Sequence, residues 1–117
     1  MRHSRHRAVR PAQRLTEGLA SLAGRHEVIG DVRGLGLFLG VEFVTDRETK
    51  TPSAEVASYV VERMKDLGIL LSADGPDHNV IKIKPPRPLS LADAERLVRE
   101  LDAVLGEDRV REIAGRG

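Results

Sequence analysis

The chain has 117 residues, of which 40% are hydrophobic, 32% are charged and only 3% are aromatic, and its formal net charge is +1. This size suits one domain with a modest aliphatic core, and the absence of cysteine excludes disulfide bonds and thiolate chemistry. No apolar run approaches the ~20 residues that span a bilayer, and no signal-peptide core follows Met1, so we expect a cytoplasmic protein without a membrane partner.

Residues 1–10 are a basic segment that precedes the first predicted helix. Five of the 19 lysines and arginines lie within residues 1–14 without any acidic residue, so the rest of the chain holds 14 basic and 18 acidic side chains. A basic arm can bind nucleic acid through phosphate contacts. No aromatic residue lies between these arginines to stack on bases, so a flexible head without a nucleic-acid partner is the better interpretation.

The first helix is predicted over about Pro11–Ala23, where leucines recur at helical spacing and Gly24 is a natural C-terminal cap. Val28–Val32 is a short candidate strand. From Leu35 to Val44, apolar residues alternate with glycines and polar residues, which predicts one longer strand with a well-buried face. The glycines of its other face leave room for another backbone or a packed helix.

A second helix and a hairpin follow in the sequence. Thr51 is placed to cap the helix, which covers about Pro52–Leu67 and ends at Gly68. Ile69–Ser72 and Val80–Lys84 are predicted strands, joined by a turn that contains glycine and proline.

The third helix is predicted to begin after Ser90, which forms a variant capping box with Asp93, and to end at Gly106. We expect residues 107–117 to be a frayed tail. Helices with one apolar face alternate with short strands, which predicts an α+β fold: a small, mainly antiparallel sheet with helices packed on one face. The predicted domain covers residues 11–106.

Gly34, Gly36 and Gly40 are spaced one residue too widely for the dinucleotide-binding fingerprint. A strand pattern also runs through them, whereas that fingerprint opens a helix. A glycine-rich strand that lets neighbouring elements pack closely is therefore the better interpretation.

Other candidate sites are weaker. His78, with Asp74 and Asp77 nearby, is the best metal candidate, but metal sites hold three or four ligands rigidly, and a solvated turn fits this loop better. Asp31 and Glu42 are expected to be solvated or salt-bridged. We assign no catalytic residue and no metal ligand.

Two stretches, Gly30–Glu42 and Ile69–Pro86, resemble the C-terminal small domain of class III pyridoxal-phosphate-dependent aminotransferases, which belong to the fold-type I transferases. The resemblance runs from about Ala12 to Leu105 and is strongest to the alanine–glyoxylate aminotransferase type and its phospholyase relatives, which act on phosphoethanolamine-like amines. In the family, the motif R-G-x-G-L-x-x-G-x-E has mainly structural glycines beside the substrate entrance. The residues that match it here are Arg33, Gly34, Gly36, Leu37, Gly40 and Glu42.

Lys82 is the substrate-binding candidate that the resemblance implies. The family carries an R-x-x-P-P-like signature whose arginine often holds the substrate carboxylate; this chain has Lys82 at that position, with Pro85 and Pro86 as the prolines. Lysine is a flexible point charge, whereas arginine makes a planar two-pronged pair with a carboxylate. The sequence K-I-K-P-P agrees with the phospholyase-like branch. From the pattern alone, Lys82 and Lys84 equally fit the wet face of a strand.

The resemblance also implies which parts are absent. The family holds pyridoxal 5'-phosphate in a large domain, and none of the four lysines here matches the Schiff-base motif. We therefore expect the parent enzyme to use this cofactor for amino transfer, or for phosphate elimination from a phosphorylated amine. This chain alone is expected to bind no cofactor and to be inactive.

The expected partners are the missing large domain or a second copy, and a small-molecule amine is the expected substrate of the parent enzyme. The alternative is a free-standing α+β module that binds a partner or dimerises without catalytic activity. The basis for this alternative is the apolar strand surface in so short a chain, because exposed apolar surface often marks a missing partner.

Overall fold

The computed structural model describes residues 10–35, 38–84 and 88–116. Predictions for residues 1–9, for Gly36 and Leu37, and for Pro85 and Pro86 lie outside these ranges. No described helix is long and apolar enough to cross a membrane. The elements are α1 (Pro11–Arg25), β1 (Ile29–Leu35), β2 (Phe38–Asp46), β3 (Thr51–Pro52), α2 (Ala54–Asp66), β4 (Ser72–Asp74), β5 (Val80–Ile83), α3 (Leu91–Leu105) and α4 (Asp108–Arg116).

The described strands form one antiparallel sheet in the order β1-β2-β5-β4, and β3 pairs with β2. Val41 of β2 pairs with Ile81 of β5, and both side chains are fully buried. They belong to a single core cluster with residues of all four helices, such as Leu15 and Val56. We call this buried side the inner face of the sheet and the opposite side the outer face. The predicted α+β fold, with helices on one face of a small antiparallel sheet, is confirmed.

The prediction of one strand from Leu35 to Val44 is wrong at its start. Leu35 is the last residue of β1 and pairs with Phe38, the first residue of β2. Because paired residues share a face, Leu35 has the register position of Phe38, whereas the pattern predicted that of Leu39 and Val41. The sequence alternation itself runs on through residues 35–39 and so does not reveal this change of phase. Within β2, Val41 and Phe43 lie in the core cluster as predicted, whereas Val44 of the other face is also buried but lies outside that cluster.

The predicted cap at Gly24 is also wrong, because α1 continues to Arg25. An arginine from a later loop satisfies the carbonyl groups at this helix end. The Arg47 guanidinium donates hydrogen bonds to the carbonyl oxygens of Ala23, of His26 at 3.0 Å and of Ile29 at 3.1 Å. This side chain thereby ties α1 to the start of β1 without a left-handed glycine.

Helix α2 begins two residues later than predicted. Its N-cap is the buried Ser53, whose hydroxyl accepts a hydrogen bond from the Val56 N–H at 3.1 Å, whereas Thr51 pairs with Asp46 in β3. Gly68 ends the helix as predicted, with a φ of 84° and its N–H bonded to the Lys65 carbonyl.

The prediction that Ile69 starts a strand is wrong. Its N–H donates to the Met64 carbonyl and completes the end of helix α2. The hairpin partner of β5 therefore starts only at Ser72.

The prediction of a frayed tail over residues 107–117 is wrong for most of its length. Asp108–Arg116 forms α4, and its side chains Val110 and Ile113 are only 2% and 3% exposed. The sequence offers only a short apolar stripe of Val110, Ile113 and Ala114, so the helix is stabilised by burial against the core and not by a strong intrinsic signal.

Two helices approach each other closely at Gly18. A Cβ atom on Gly18 of α1 would lie 2.6 Å from Cγ2 of Val98 on α3. By contrast, a Cβ atom on Gly24 would have no neighbour within 4 Å. The same helix thus contains one glycine that close packing requires and one that it does not.

A cluster of three polar side chains connects α2 to the segment between α3 and α4. Arg63 donates from Nε and Nη2 to the Glu107 carboxylate at 3.0 and 2.8 Å, and the Tyr59 hydroxyl donates to the same carboxylate. Hydrogen bonding to Arg63 holds the pKa of Glu107 below its ordinary value. Hydrogen bonding to Glu107 raises the pKa of Tyr59.

We predict opposite effects for alanine at the two glycines of α1. Gly18→Ala should lower the free energy of unfolding by about 1–2 kcal/mol, because Val98 must move. Gly24→Ala should raise it by about 0.5–1 kcal/mol, because alanine has the higher helix propensity. Urea unfolding followed by circular dichroism measures both, and shifts of the same sign would contradict the packing described for Gly18.

We also predict a pH-dependent effect of Glu107→Gln. Because the folded-state pKa of Glu107 lies below its ordinary value of 4.5, the stabilisation is fully present above that value and is lost as the pH falls through the folded-state pKa. The variant should therefore be less stable than the native chain by about 1–2 kcal/mol at pH 7, with the difference shrinking near pH 3.

Urea unfolding at the two pH values tests this. The matched control is Glu112→Gln, which removes an exposed pair with Arg109 at 3.2 Å and should have little effect at pH 7. If Glu107→Gln lowered the free energy of unfolding equally at both pH values, the charge of Glu107 would not be what stabilises the fold.

Candidate functional site

The outer face of the sheet carries four of the five predicted site residues that the structure describes, namely Arg33, Gly40, Glu42 and Lys82. In the strand register, Gly40 of β2 pairs with Arg33 of β1 on one side and with Lys82 of β5 on the other. Paired residues point to the same face, so this row of three crosses the sheet on the side without helices. Adjacent strands lie ~4.8 Å apart, which puts the Cα atoms of Arg33 and Lys82 roughly 10 Å from each other.

Lys82 lies in a cluster with one carboxylate, one aromatic ring and a second lysine. Its Nζ is 3.5 Å from Oδ2 of Asp74 and 5.6 Å from the centre of the Phe38 ring. The Nζ of Lys84 approaches the same ring at 5.9 Å. Both distances are within the range of cation–π attraction. We call these four residues the Lys82 cluster.

A shallow depression adjoins the Lys82 cluster. It has a volume of about 300 Å³, and its lining combines the two ammonium groups with the apolar side chains of Leu70 and Leu71. Leu70 is 81% exposed, which is unusual for a leucine in this chain. The depression can therefore receive a small molecule that has an anionic group and a short apolar part.

Arg33 lies in a separate group of charges on the same face. Its Nη1 is 2.7 Å from Oδ2 of Asp31 and 3.9 Å from Oε1 of Glu42. Asp31 and Glu42 are thus salt-bridged, one of the two roles expected for them. With two carboxylates around one guanidinium, this group has little positive charge left for an anion.

The glycines of the motif differ in their surroundings. Gly40 is buried, whereas Gly34 is exposed and a Cβ atom there would meet nothing within 4 Å. Within the sheet, close packing requires a glycine outside the motif, which the sequence does not single out: at Gly30, a Cβ atom would lie 2.8 Å from Cγ1 of Val44. Gly30 also lies at a register shift between β1 and β2.

The weaker metal candidate is not assembled in the structure. Within residues 10–35, 38–84 and 88–116, no group of three or more His, Asp or Glu side chains is placed to hold a metal ion. Asp74 pairs with Lys82, and His78 adopts a left-handed turn conformation with a φ of 52°.

Two members of the Lys82 cluster were not assigned to it from the sequence. Phe38 occupies the outer face in the period-two pattern, and an aromatic residue at such a position was the available signal. The sequence singles out Asp74 only as a candidate metal ligand. Its proximity to Lys82 depends on the register of β4 against β5, in which Asp74 pairs with Val80 and Ser72 with Lys82.

The chain matches the family model described as "Aminotransferase class-III" over residues 4–105. It is 46% identical over 88 residues to alanine–glyoxylate aminotransferase 2 homolog 2, mitochondrial, of Arabidopsis thaliana, covering 75% of this chain and 18% of that protein. It is 43% identical over 94 residues to ethanolamine-phosphate phospho-lyase homolog 1 of Caenorhabditis elegans, covering 80% and 20%. The chain therefore spans about a fifth of the length of these curated relatives.

Solved structures share the fold. A phospholyase from Arthrobacter, determined in complex with phosphoethanolamine, has a TM-score of 0.73 and 30% identity, covering 80% of this chain and 22% of that one. An aminotransferase from Bacillus anthracis has a TM-score of 0.71 and 28% identity, covering 81% and 24%.

The geometry of the Lys82 cluster predicts a specific NMR signature. Protons held near an aromatic ring are shifted by its ring current, so the side-chain methylene signals of Lys82 and Lys84 should differ from those of the exposed Lys50 and Lys65. In Phe38→Leu, the two displaced sets of signals should move to the positions of the other two lysines. Unchanged lysine signals in that variant would mean that neither ammonium lies over the ring.

Proposed function

The chain belongs to the class III aminotransferase family, and we propose that it is the C-terminal small domain of a pyridoxal-phosphate-dependent enzyme that acts on a phosphorylated amine. In this proposal Lys82 binds the anionic group of the substrate. The observation that carries it is the pair of ammonium groups, Lys82 and Lys84, beside one Phe38 ring and one Asp74 carboxylate.

Charge supports a phosphate over a carboxylate as the ligand of this cluster. Two ammonium groups and one carboxylate leave a net charge of about +1 before any ligand binds. A phosphate monoester carries roughly −1.5 to −2 near neutral pH and has three acceptor oxygens, so it can contact both ammonium groups. Lysine binds phosphate well as a point charge, whereas planar recognition of a carboxylate favours arginine.

Two relatives support the same substrate class. One curated relative is named an ethanolamine-phosphate phospho-lyase, and one similar structure is a phospholyase in complex with phosphoethanolamine. The reaction proposed for the parent enzyme is therefore the elimination of phosphate from a phosphorylated amine.

Amino transfer is the second candidate, and a specific observation favours it as well. The Arabidopsis relative, named an alanine–glyoxylate aminotransferase, is 46% identical to this chain, a slightly higher value than that of the phospho-lyase relative. In that case Lys82 would contact a substrate carboxylate through a single ammonium group.

The described residues do not by themselves fit the cofactor. A Schiff-base lysine needs an enclosed site next to a phosphate cradle, but Lys50, Lys65 and Lys84 are exposed, and the Lys82 side chain is 40% exposed. When bound, pyridoxal phosphate supplies the electron sink of such reactions. We propose that this part of the site comes from the remainder of the enzyme, as a large domain or a second subunit, and that the chain alone is inactive.

The test replaces the matching segment of the Caenorhabditis elegans phospho-lyase relative with this chain and measures two activities. One is phosphate release from phosphoethanolamine, and the other is amino transfer between alanine and glyoxylate. We expect phosphate release, and we expect Lys82→Arg to lower its kcat/KM by about tenfold, because a planar fork replaces a point charge between Lys84 and Asp74.

Lys65→Arg, on the exposed surface of α2, is the matched control and should leave both activities unchanged. This chain alone, mixed with pyridoxal phosphate, should give neither product. Amino transfer without phosphate release would favour the second candidate. An unchanged substrate preference in Lys82→Arg would show that Lys82 does not bind the substrate.

A further inference from the structure

The carboxylate that holds Lys82 comes from the neighbouring strand of the same sheet. Ser72 pairs with Lys82 and Asp74 pairs with Val80, so Asp74 is a diagonal neighbour of Lys82 on the outer face. The distance from Oδ2 of Asp74 to Nζ of Lys82 is 3.5 Å. A ligand anion that approaches Lys82 therefore meets an ammonium that already has a carboxylate partner.

This internal pair is exchangeable. The side chains of Lys82 and Asp74 are 40% and 47% exposed, and ion pairs with that degree of exposure are weak. An external anion can consequently displace Asp74, but it gains only the difference between its own attraction to Lys82 and that of the carboxylate it replaces.

Lys84 makes the outcome depend on the charge of the ligand. Among the described residues its ammonium has no ion-pair partner, and it lies over the Phe38 ring. A carboxylate ligand only replaces one carboxylate by another at Lys82, so it gains little free energy of binding. A phosphate, with more charge and three oxygens, can replace Asp74 at Lys82 and also contact Lys84.

We propose that Asp74 is a built-in competitor at Lys82 that weakens the binding of every anion there, so that a carboxylate gains little and only an anion that also contacts Lys84, such as a phosphate monoester, binds well. This inference rests on the proposed function, because it takes Lys82 as the anion-binding group. In this role Asp74 touches Lys82 and not the reacting atoms of the substrate, so it acts by positioning the ammonium and not as a catalytic residue.

The test measures how tightly this chain binds inorganic phosphate and acetate, at constant ionic strength, from the NMR shifts of the Lys82 side chain. Asp74→Ala should tighten the binding of acetate by about twofold to fivefold and that of phosphate by at least as much, because both anions displace the same carboxylate and phosphate carries the larger charge. Asp74→Glu should restore the weaker binding, which a purely structural role of the residue would not require.

Asp31→Ala is the matched control, because Asp31 lies on the same face, is 49% exposed and pairs with Arg33 instead of Lys82. It should leave the affinities of Lys82 for phosphate and for acetate unchanged. An equal increase of both affinities in Asp31→Ala would mean that general surface charge, and not the contact with Lys82, weakens anion binding.

Three other outcomes would overturn the proposal. Unchanged affinities for both anions in Asp74→Ala, with phosphate binding still weakened in Lys82→Ala, would show that Asp74 has no role and would leave Lys82 as the anion site. If Lys82→Ala did not weaken phosphate binding, or if phosphate caused no NMR shift at Lys82 in the native chain, neither Lys82 nor Asp74 would take part in anion binding. The reaction of the parent enzyme is tested separately, by the products of the Caenorhabditis elegans relative that carries this chain. Failure of the proposed function is therefore distinguishable from failure of this inference.

Discussion

The structure depends on one constraint: alternate residues of the two central strands must be buried together under the helices. Val41 and Ile81, neighbours across β2 and β5, are both fully buried on the inner face. A shift of one residue in either strand would move these side chains to the solvent and bring charged groups into the core. The same alternation puts Phe38 and Lys82 on the outer face, so the core and the candidate site are consequences of one register.

Polar contacts fix that register and the position of the helices. The Asn79 side chain donates to the Phe43 carbonyl at 2.9 Å, and the Phe43 N–H donates to the Asn79 carbonyl at 2.8 Å. Because Asn79 is only 3% exposed, slipping the strands would leave buried polar groups without partners. Arg47 acts similarly at the end of α1, where it satisfies carbonyl groups that a helix terminus leaves open.

The amphipathic pattern predicted the three long helices and the α+β class, because helical spacing of apolar residues reports directly on burial. The capping of α3 by Ser90 was also predictable, and its hydroxyl accepts from the Asp93 N–H at 3.0 Å. Boundaries set by distant partners were not predictable. Arg47 replaces a glycine cap in this way, and α4 forms only because Val110 and Ile113 have a core to pack on. Among the site residues, family resemblance singled out Lys82, whereas its contacts with Phe38 and Asp74 depend on strand pairing across long stretches of sequence.

The charges around Arg33 have a consequence for the behaviour of the chain in concentrated solution. Strand β1 is one edge of the sheet, and an unpaired edge is a template on which a strand from another molecule can add. The edge here carries Asp31 and Arg33, and its ladder is interrupted by the register shift between Ile29 and Asp31. The opposite edge, β4, is only three residues long. Charge, irregular pairing and short length are devices by which proteins prevent intermolecular sheet growth, so both edges of this sheet are protected against aggregation.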